Sequence, residues 1–250
     1  MKVVFLAAGQ GKRLRPITDN IPKCMVPFKG KAILEYGIEA VRSLGIKDII
    51  IVCGYLSDKI PYTDVKYILN NNYEHSNMVE SLFCASDEFD DDLIISYTDI
   101  IYRKDIVKAL VETPADIGVV IDSNWYDLWS LRMENPLADA ETLRIDLNGN
   151  IYDIGRKTNS LDEIEGQFVG LIKVSKKILP KILDFYYGLD RKGNYDGIGF
   201  NNMFMTTFLQ LLINAGYLVR AVKINGGWIE IDTIADLDTY NRDQNILDID

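Results

Sequence analysis

Short runs of β-branched and aliphatic residues recur along the chain, and most are followed by stretches whose apolar positions return every third or fourth residue. The first pattern predicts buried strands and the second amphipathic helices, because side chains repeat with period two along a strand and about 3.6 around a helix. Strands are expected over Val3–Ala7, Ile49–Val52, Lys66–Leu69, Leu93–Ser96 and Ile117–Ile121. Between the first two, Ala32–Leu44 carries Ile33, Leu34, Ile38 and Val41 on one helical face, and Gly45 supplies the expected C-terminal glycine. Met78–Phe89 predicts a second helix capped by Ser76 or Asn77, and Asp105–Val111 a third. Strands alternating with helices imply βαβ units, hence a mixed, mostly parallel sheet covered on both faces.

The second half changes character. Glu141–Asp146, the turn Asn148-Gly149 and Ile151–Ile154 predict a hairpin, and Gln167–Val174 another strand, followed by a helix near Ser175–Tyr187. Phe200–Ala215 is apolar enough for a long buried helix closed by Gly216. Leu218–Ile224 and Trp228–Ile231 predict late strands, and Thr233–Gln244 a last helix with Thr233 as N-cap and Asp236 three residues on. No repeat or Pro/Gly/Ser linker interrupts the pattern, so residues 1–250 are expected to form one α/β domain. Residues 124–200 would be a small α+β insertion or lid within it.

Composition narrows the function. Hydrophobic residues make up 48% and charged residues 26%, as in ordinary globular proteins. There are 27 basic and 37 acidic residues, a net charge of −10 that repels polyanions and anionic lipid. No run approaches the length of a membrane span. Nucleic acid and membrane are therefore not expected as partners; a homodimer is left open. Cys24, Cys53 and Cys84 are scattered without a CxxC pair, which suits a reduced, cytoplasmic protein and gives no zinc site. The single histidine, His75, sits in a polar stretch and reads as a solvated loop residue.

The first strand runs into Leu6, Ala7, Ala8, Gly9, Gln10, Gly11, Lys12 and Arg13. Small residues after a buried strand let backbone N–H groups approach a ligand, and such a turn can surround a phosphate. The spacing is neither that of a Walker loop nor that of a dinucleotide fingerprint. Six of the 27 basic residues fall in the first 30 positions against one acid, Asp19, so the local charge opposes the global one. Cations beside free backbone donors mark a small phosphate site.

LAAGQGKRLRPIT (Leu6–Thr18) followed by PKCMVP (Pro22–Pro27) resembles the nucleotidyltransferase family, which includes sugar-1-phosphate nucleotidylyltransferases and cytidylyltransferases acting on phosphocholine. The resemblance implies the Rossmann-like fold of nucleotide-diphospho-sugar transferases. It also implies that the Gly9–Arg13 backbone holds a triphosphate, that Arg13 contacts its phosphates, and that Lys23 reaches the α-phosphate or the acceptor phosphate. Lys12 stands where sugar-nucleotide members usually have Thr or Ser.

Nucleotidyl transfer requires two anions to be held together, work suited to Mg²⁺ on one or two carboxylates at strand ends. Ile94–Asp99 is an apolar run ending on an acid, and it resembles the family's strand-end Gly-Asp with Thr98 in place of Gly. In Gly227–Asp232, Glu230 and Asp232 alternate on one face, and the stretch resembles the family's late Trp-containing metal element. Asp99, Glu230 and Asp232 are thus the expected metal ligands, with Lys23, Arg13 and Asp99 as catalytic residues.

Asn71–Leu82, together with Gly54-Tyr55, resembles the phosphocholine-cytidylyltransferase branch. That resemblance implies CTP as donor, its base near Gly54, Tyr55, Ser76 and Asn77, and a small phosphorylated acceptor, such as a phosphorylated amine or amino acid. UTP or dTTP with a sugar 1-phosphate is the alternative, and a regulatory module without turnover a further one. Aromatic residues of the second half, joined by an acid such as Asp196, would suit an ammonium group. Trp228, Trp129 and Asp196 are the expected acceptor contacts.

Overall fold

The computed structural model describes residues 1–243 together with 246 and 247. Eleven strands matter for the site. They are β1 (Lys2–Ala7), β2 (Asp48–Cys53), β3 (Lys66–Leu69), β4 (Leu93–Tyr97), β5 (Ile100–Tyr102), β6 (Ile117–Asp122), β7 (Glu141–Ile145), β8 (Asn150–Lys157), β9 (Gln167–Val174), β10 (Val219–Ile224) and β11 (Trp228–Glu230). Nine of them form one sheet in the order β3-β2-β1-β4-β9-β6-β10-β8-β7. Only β8 and β9 run against the other seven, so the sheet is mixed and mostly parallel, as the alternating pattern predicts.

The central strands read as continuous apolar runs because both faces are covered. In β1, Val3, Phe5 and Ala7 enter one hydrophobic cluster while Val4 and Leu6 enter the other. The first cluster receives α1 (Ile33–Ser43), α3 (Lys104–Glu112), α4 (Trp125–Arg132) and α7 (Ile234–Arg242). The second receives α2 (Met78–Phe83), α5 (Leu179–Gly188) and α6 (Met205–Asn214). Thr233 caps α7 in a reciprocal capping box with Asp236. Gln244, the expected end of that helix, lies outside the described residues.

Three expectations change. The second helix stops at Phe83, and a 3₁₀ turn over Ser86–Glu88 brings Phe89 back to 6.0 Å from the Phe83 ring. Packing of these two rings outweighs continued helical pairing. The run Phe200–Ala215 is split into a 3₁₀ turn at Phe200–Asn202 and α6. There the Asn201 carbonyl accepts the Asn77 N–H at 2.9 Å, and Phe204 leaves the helix to line the cavity described below. The expected insertion at 124–200 supplies β7, β8 and β9 to the main sheet, with β9 wedged between β4 and β6.

The register collects ligand-facing chain at one edge. Ala7 is level with Cys53, Leu6 with Tyr97, and Asp122 with Gln167 at the start of the reversed β9. Beyond β4, the chain turns into β5, which pairs antiparallel with β11 so that Glu230 is opposite Ile100. The Ile231 N–H donates to the Asp99 carbonyl at 2.8 Å. Two segments far apart in sequence therefore deliver their carboxylates to one point.

Candidate active site

The glycine loop leaves β1 and folds over a short turn, Lys12–Leu14. Gly11 has φ +62°, and a Cβ there would lie 2.8 Å from Lys23 Cβ. Glycine is required on both counts, for the left-handed backbone and for contact with the Lys23 stem. Replacing Gly11 by alanine is expected to cost about 1–3 kcal/mol of stability and to displace Lys23. Denaturant unfolding together with turnover checks this.

Lys23 reaches inward from the turn Lys23–Met25. Its Nζ donates to Asp99 Oδ2 at 2.8 Å and also contacts Asp232 Oδ1. These three side chains are 15%, 11% and 8% exposed, so the ion pairs are largely screened from water. Burial pulls the Lys23 ammonium pKa down, but the fields of Asp99, Asp232 and Glu230 outweigh it and the net shift is upward. Asp232 also accepts from Arg13 Nη2 at 2.8 Å. Burial opposes its ionisation, yet Lys23, Arg13 and Arg132 hold its pKa below the usual carboxylate value.

Arg132, at the end of α4, is a residue that sequence reasoning missed. Its guanidinium is 4% exposed; it pairs with Glu230 Oε2, reaches Asp236 Oδ1 at 3.1 Å and lies 3.7 Å from Asp232 Oδ2. It also stands 5.3 Å from the Trp129 ring, one helical turn earlier. That i, i+3 spacing beside a predicted aromatic contact was the available signal. Burial, then the charge of Asp232, pushes the Glu230 carboxyl up to about 7, against the pull of Arg132 and Lys23.

Carboxylate oxygens of Asp99, Glu230 and Asp232 lie within 4.8 Å of one another. Asp99 Oδ1 is buried without a hydrogen-bond partner. Several hard oxygen donors converging with one lone pair set unsatisfied fit a small divalent cation.

A cavity of about 600 Å³ opens above this cluster. Gly9, Gln10, Gly11, Lys12, Arg13 and Lys23 line one side of it, with Ser76, Asn77, Asp99, Glu230 and Asp232. Trp228 and Trp129 line it too, their rings 5.9 Å apart. Trp228 Nε1 is anchored by Asp122 Oδ2 at 2.8 Å. Leu6, Ala7 and Ala8 border an adjoining recess of about 90 Å³.

Three expected contacts fall elsewhere. Gly54 and Tyr55 line neither space and instead brace the loop: the Tyr55 N–H donates to the Ala8 carbonyl at 3.2 Å, and its hydroxyl to the Thr18 carbonyl at 3.0 Å. A Cβ on Gly54 would meet Tyr73 Cβ at 2.6 Å, so the glycine serves close packing. Asp196 is exposed on a turn and accepts from the Thr207 hydroxyl at 2.6 Å, outside the cavity lining. Thr206, the neighbour of its partner Thr207, does line the cavity. Asp139, Glu141, Gln167 and Phe168 also line the cavity, and nothing in their sequence context marked them.

Residues 3–181 match the family described as MobA-like NTP transferase domain. The chain belongs to this family. It is accordingly a nucleotidyltransferase. A Campylobacter jejuni protein named CTP:phosphoglutamine cytidylyltransferase is 45% identical over 249 residues, covering 95% of this nucleotidyltransferase and 98% of that protein. The choline-phosphate cytidylyltransferase of Streptococcus pneumoniae is 37% identical over 107 residues, 41% of this chain and 47% of its own. Among solved structures, the inositol-1-phosphate CTP transferase of T. maritima superposes with a TM-score of 0.73 at 19% identity, over 98% of this chain and 97% of that one. The CTP:phosphocholine cytidylyltransferase of S. pneumoniae gives 0.72 at 22% identity, over 96% and 97%. At those identities the two structures establish the shared fold. No helix among the described residues is long and apolar enough to cross a membrane.

Proposed function

We propose that this nucleotidyltransferase transfers CMP from CTP to a small phosphorylated acceptor, a phosphorylated amine or amino acid, with release of pyrophosphate. The observation that carries the reading is the meeting of Lys23 with Asp99 and Asp232 directly beneath the glycine loop, at the floor of a cavity large enough for two substrates. The names of the C. jejuni and S. pneumoniae relatives, both cytidylyltransferases, support CTP as donor.

In this reading the backbone N–H groups of Gly9 to Arg13 and the Arg13 guanidinium hold the triphosphate, while Ser76 and Asn77 face the base. An acceptor phosphate oxygen attacks the α-phosphorus in line. The new P–O bond forms as the bond to the β-phosphate oxygen breaks, and pyrophosphate leaves with that electron pair. Lys23, freed from its carboxylates, sits against the α-phosphate oxygens, where negative charge must be offset. Trp228 and Trp129 wall the acceptor side and keep water from the α-phosphorus. Asp99, Glu230 and Asp232 would hold Mg²⁺, which supplies charge neutralisation at the phosphate oxygens. Arg132, braced by Asp236, orients Glu230 and Asp232 from behind. The CDP-linked product would serve cell-surface polysaccharide or lipid synthesis, in the reducing cytoplasm that the free thiols of Cys24, Cys53 and Cys84 suit.

The test is a pyrophosphate-release screen of ATP, CTP, GTP and UTP against phosphorylated amines, amino acids, polyols and sugars. CTP with an amine- or amino-acid-bearing phosphate is the expected pair, and no release with CTP across the panel overturns the reading. Chelation by EDTA is expected to stop the active pair, and added Mg²⁺ to restore it.

A further inference from the structure

The cavity has a second, acidic pole, at which the cross-strand partner of Glu141, Lys157, stays largely exposed. Glu141, at the start of β7, lines the cavity beside Asp139, Gln167, Phe168 and Thr206, all from elements distinct from the glycine loop. Its backbone is clamped on both sides by the Gln167 side chain: the Glu141 N–H donates to Oε1 at 3.1 Å, and Nε2 donates to the Glu141 carbonyl at 2.6 Å. Gln167 is itself 5% exposed, so the clamp is rigid and Glu141 is held in place at the cavity wall.

The carboxylate is poorly neutralised. Burial raises its pKa; Lys157 and the Thr206 hydroxyl offset only part of that, and Asp139 and Asp196 add to it. Lys157 is 66% exposed and lies 4.0 Å from Asp139, so it remains largely in water. Tyr97 lines the cavity as well. The Phe168 ring stacks edge-on to Tyr97 at 5.7 Å. A half-buried acid with no cation committed to it, flanked by aromatic faces and facing a substrate cavity, offers an ammonium group what it needs.

We propose that Glu141 is the specificity residue of the acceptor subsite, binding a primary ammonium carried by the phosphorylated acceptor. The inference rests on the cavity being the acceptor site. A carboxylate with a neighbouring hydroxyl and amide accepts hydrogen bonds from N–H groups, which a primary ammonium has and a trimethylammonium lacks. Polyol phosphates offer Glu141 hydroxyl donors but no positive charge, so the same residue disfavours them.

The experiment compares phosphoglutamine with its des-amino analogue, using wild type and Glu141→Gln and CTP as donor. A charge-assisted hydrogen bond lost in a buried site corresponds to roughly a 10- to 100-fold change. Wild type is expected to prefer phosphoglutamine by that factor, seen mainly in the acceptor KM. Glu141→Gln is expected to lose the preference while keeping the KM for CTP and its turnover of the analogue. Glu141→Asp, which keeps the charge and shortens the reach, should recover part of it; it also serves as a second variant should the first fold poorly. Equal losses for both acceptors in Glu141→Gln, an unchanged preference in that variant, or wild-type turnover of phosphocholine but not phosphoglutamine each overturn the inference and leave cytidylyl transfer standing. No turnover of CTP with any acceptor overturns both.

Discussion

Lys23→Ala is expected to lower kcat/KM by roughly 100- to 1,000-fold, because each tenfold corresponds to about 1.4 kcal/mol and a single preorganised charge contact at a developing oxyanion contributes about 3–4 kcal/mol. The geometry adds a second, opposite effect that separates this role from a structural one. In the ligand-free protein the ammonium neutralises Asp99 and Asp232, both largely buried. Removing it leaves carboxylates short of positive charge, at a stability cost on the order of 3 kcal/mol for a broken buried pair. A divalent cation can then supply the missing charge without displacing a lysine. The variant should therefore show a larger upward shift of its melting temperature with Mg²⁺ than wild type, while turnover stays low. Near-wild-type turnover would remove Lys23 from the reaction. Low turnover without the enhanced metal response would mean that Lys23 does not compete for those carboxylates.

Asp232→Asn has the next largest expected effect. Asp232 is the junction of the site: Lys23, Arg13 and Arg132 all lie on it. An amide of the same shape keeps the volume but withdraws the charge that organises those cations and, in the proposed function, one ligand of the metal. Turnover should fall by about a hundredfold, and the Mg²⁺ concentration for half-maximal rate should rise by roughly 10- to 100-fold. The fold should hold, because α7 is started by Thr233 and Asp236 rather than by the Asp232 side chain. Thermal melting checks the fold, and a Mg²⁺ titration of the rate checks the ligand role. An unchanged Mg²⁺ requirement would sink the metal assignment whatever the rate.

Much of this site was legible in the chain because its parts are local. A glycine after a buried strand, an acid at the end of another and alternating acids on a third are patterns of a few residues each, read from Val3–Gly11, Ile94–Asp99 and Trp228–Asp232. The helical boundaries were legible where periodicity and caps agree, as for α1 and α7. They failed at Phe83 and at Met203, where ring packing and the hydrogen bond from Asn77 to the Asn201 carbonyl outweigh local propensity. Asp196 shows the limit of composition: an acid near aromatics in sequence, it turns outward to Thr207. Glu141, without any motif around it, is brought to the cavity wall by Gln167 of a neighbouring segment.

The sequence by itself marked a small phosphate site and its candidate acids, and its motifs resemble those of nucleotidyltransferases. In a chain of net charge −10, cations concentrated in the first 30 residues beside small loop residues, and acids ended apolar runs. Those are short-range facts, and short-range physics suffices to read them. The tertiary structure alone decided that Lys23 and Arg132 pair with those acids. The pairing of β5 with β11 brings Glu230 and Asp232 to Asp99, and the reversed β9 carries Gln167 to the same edge. α4 sets Arg132 behind the carboxylates. The reason is range: hydrogen bonds act at about 3 Å, and salt screens Coulomb interactions over about 10 Å. Partners that are remote along the chain acquire an energy only once the sheet's register has put them side by side.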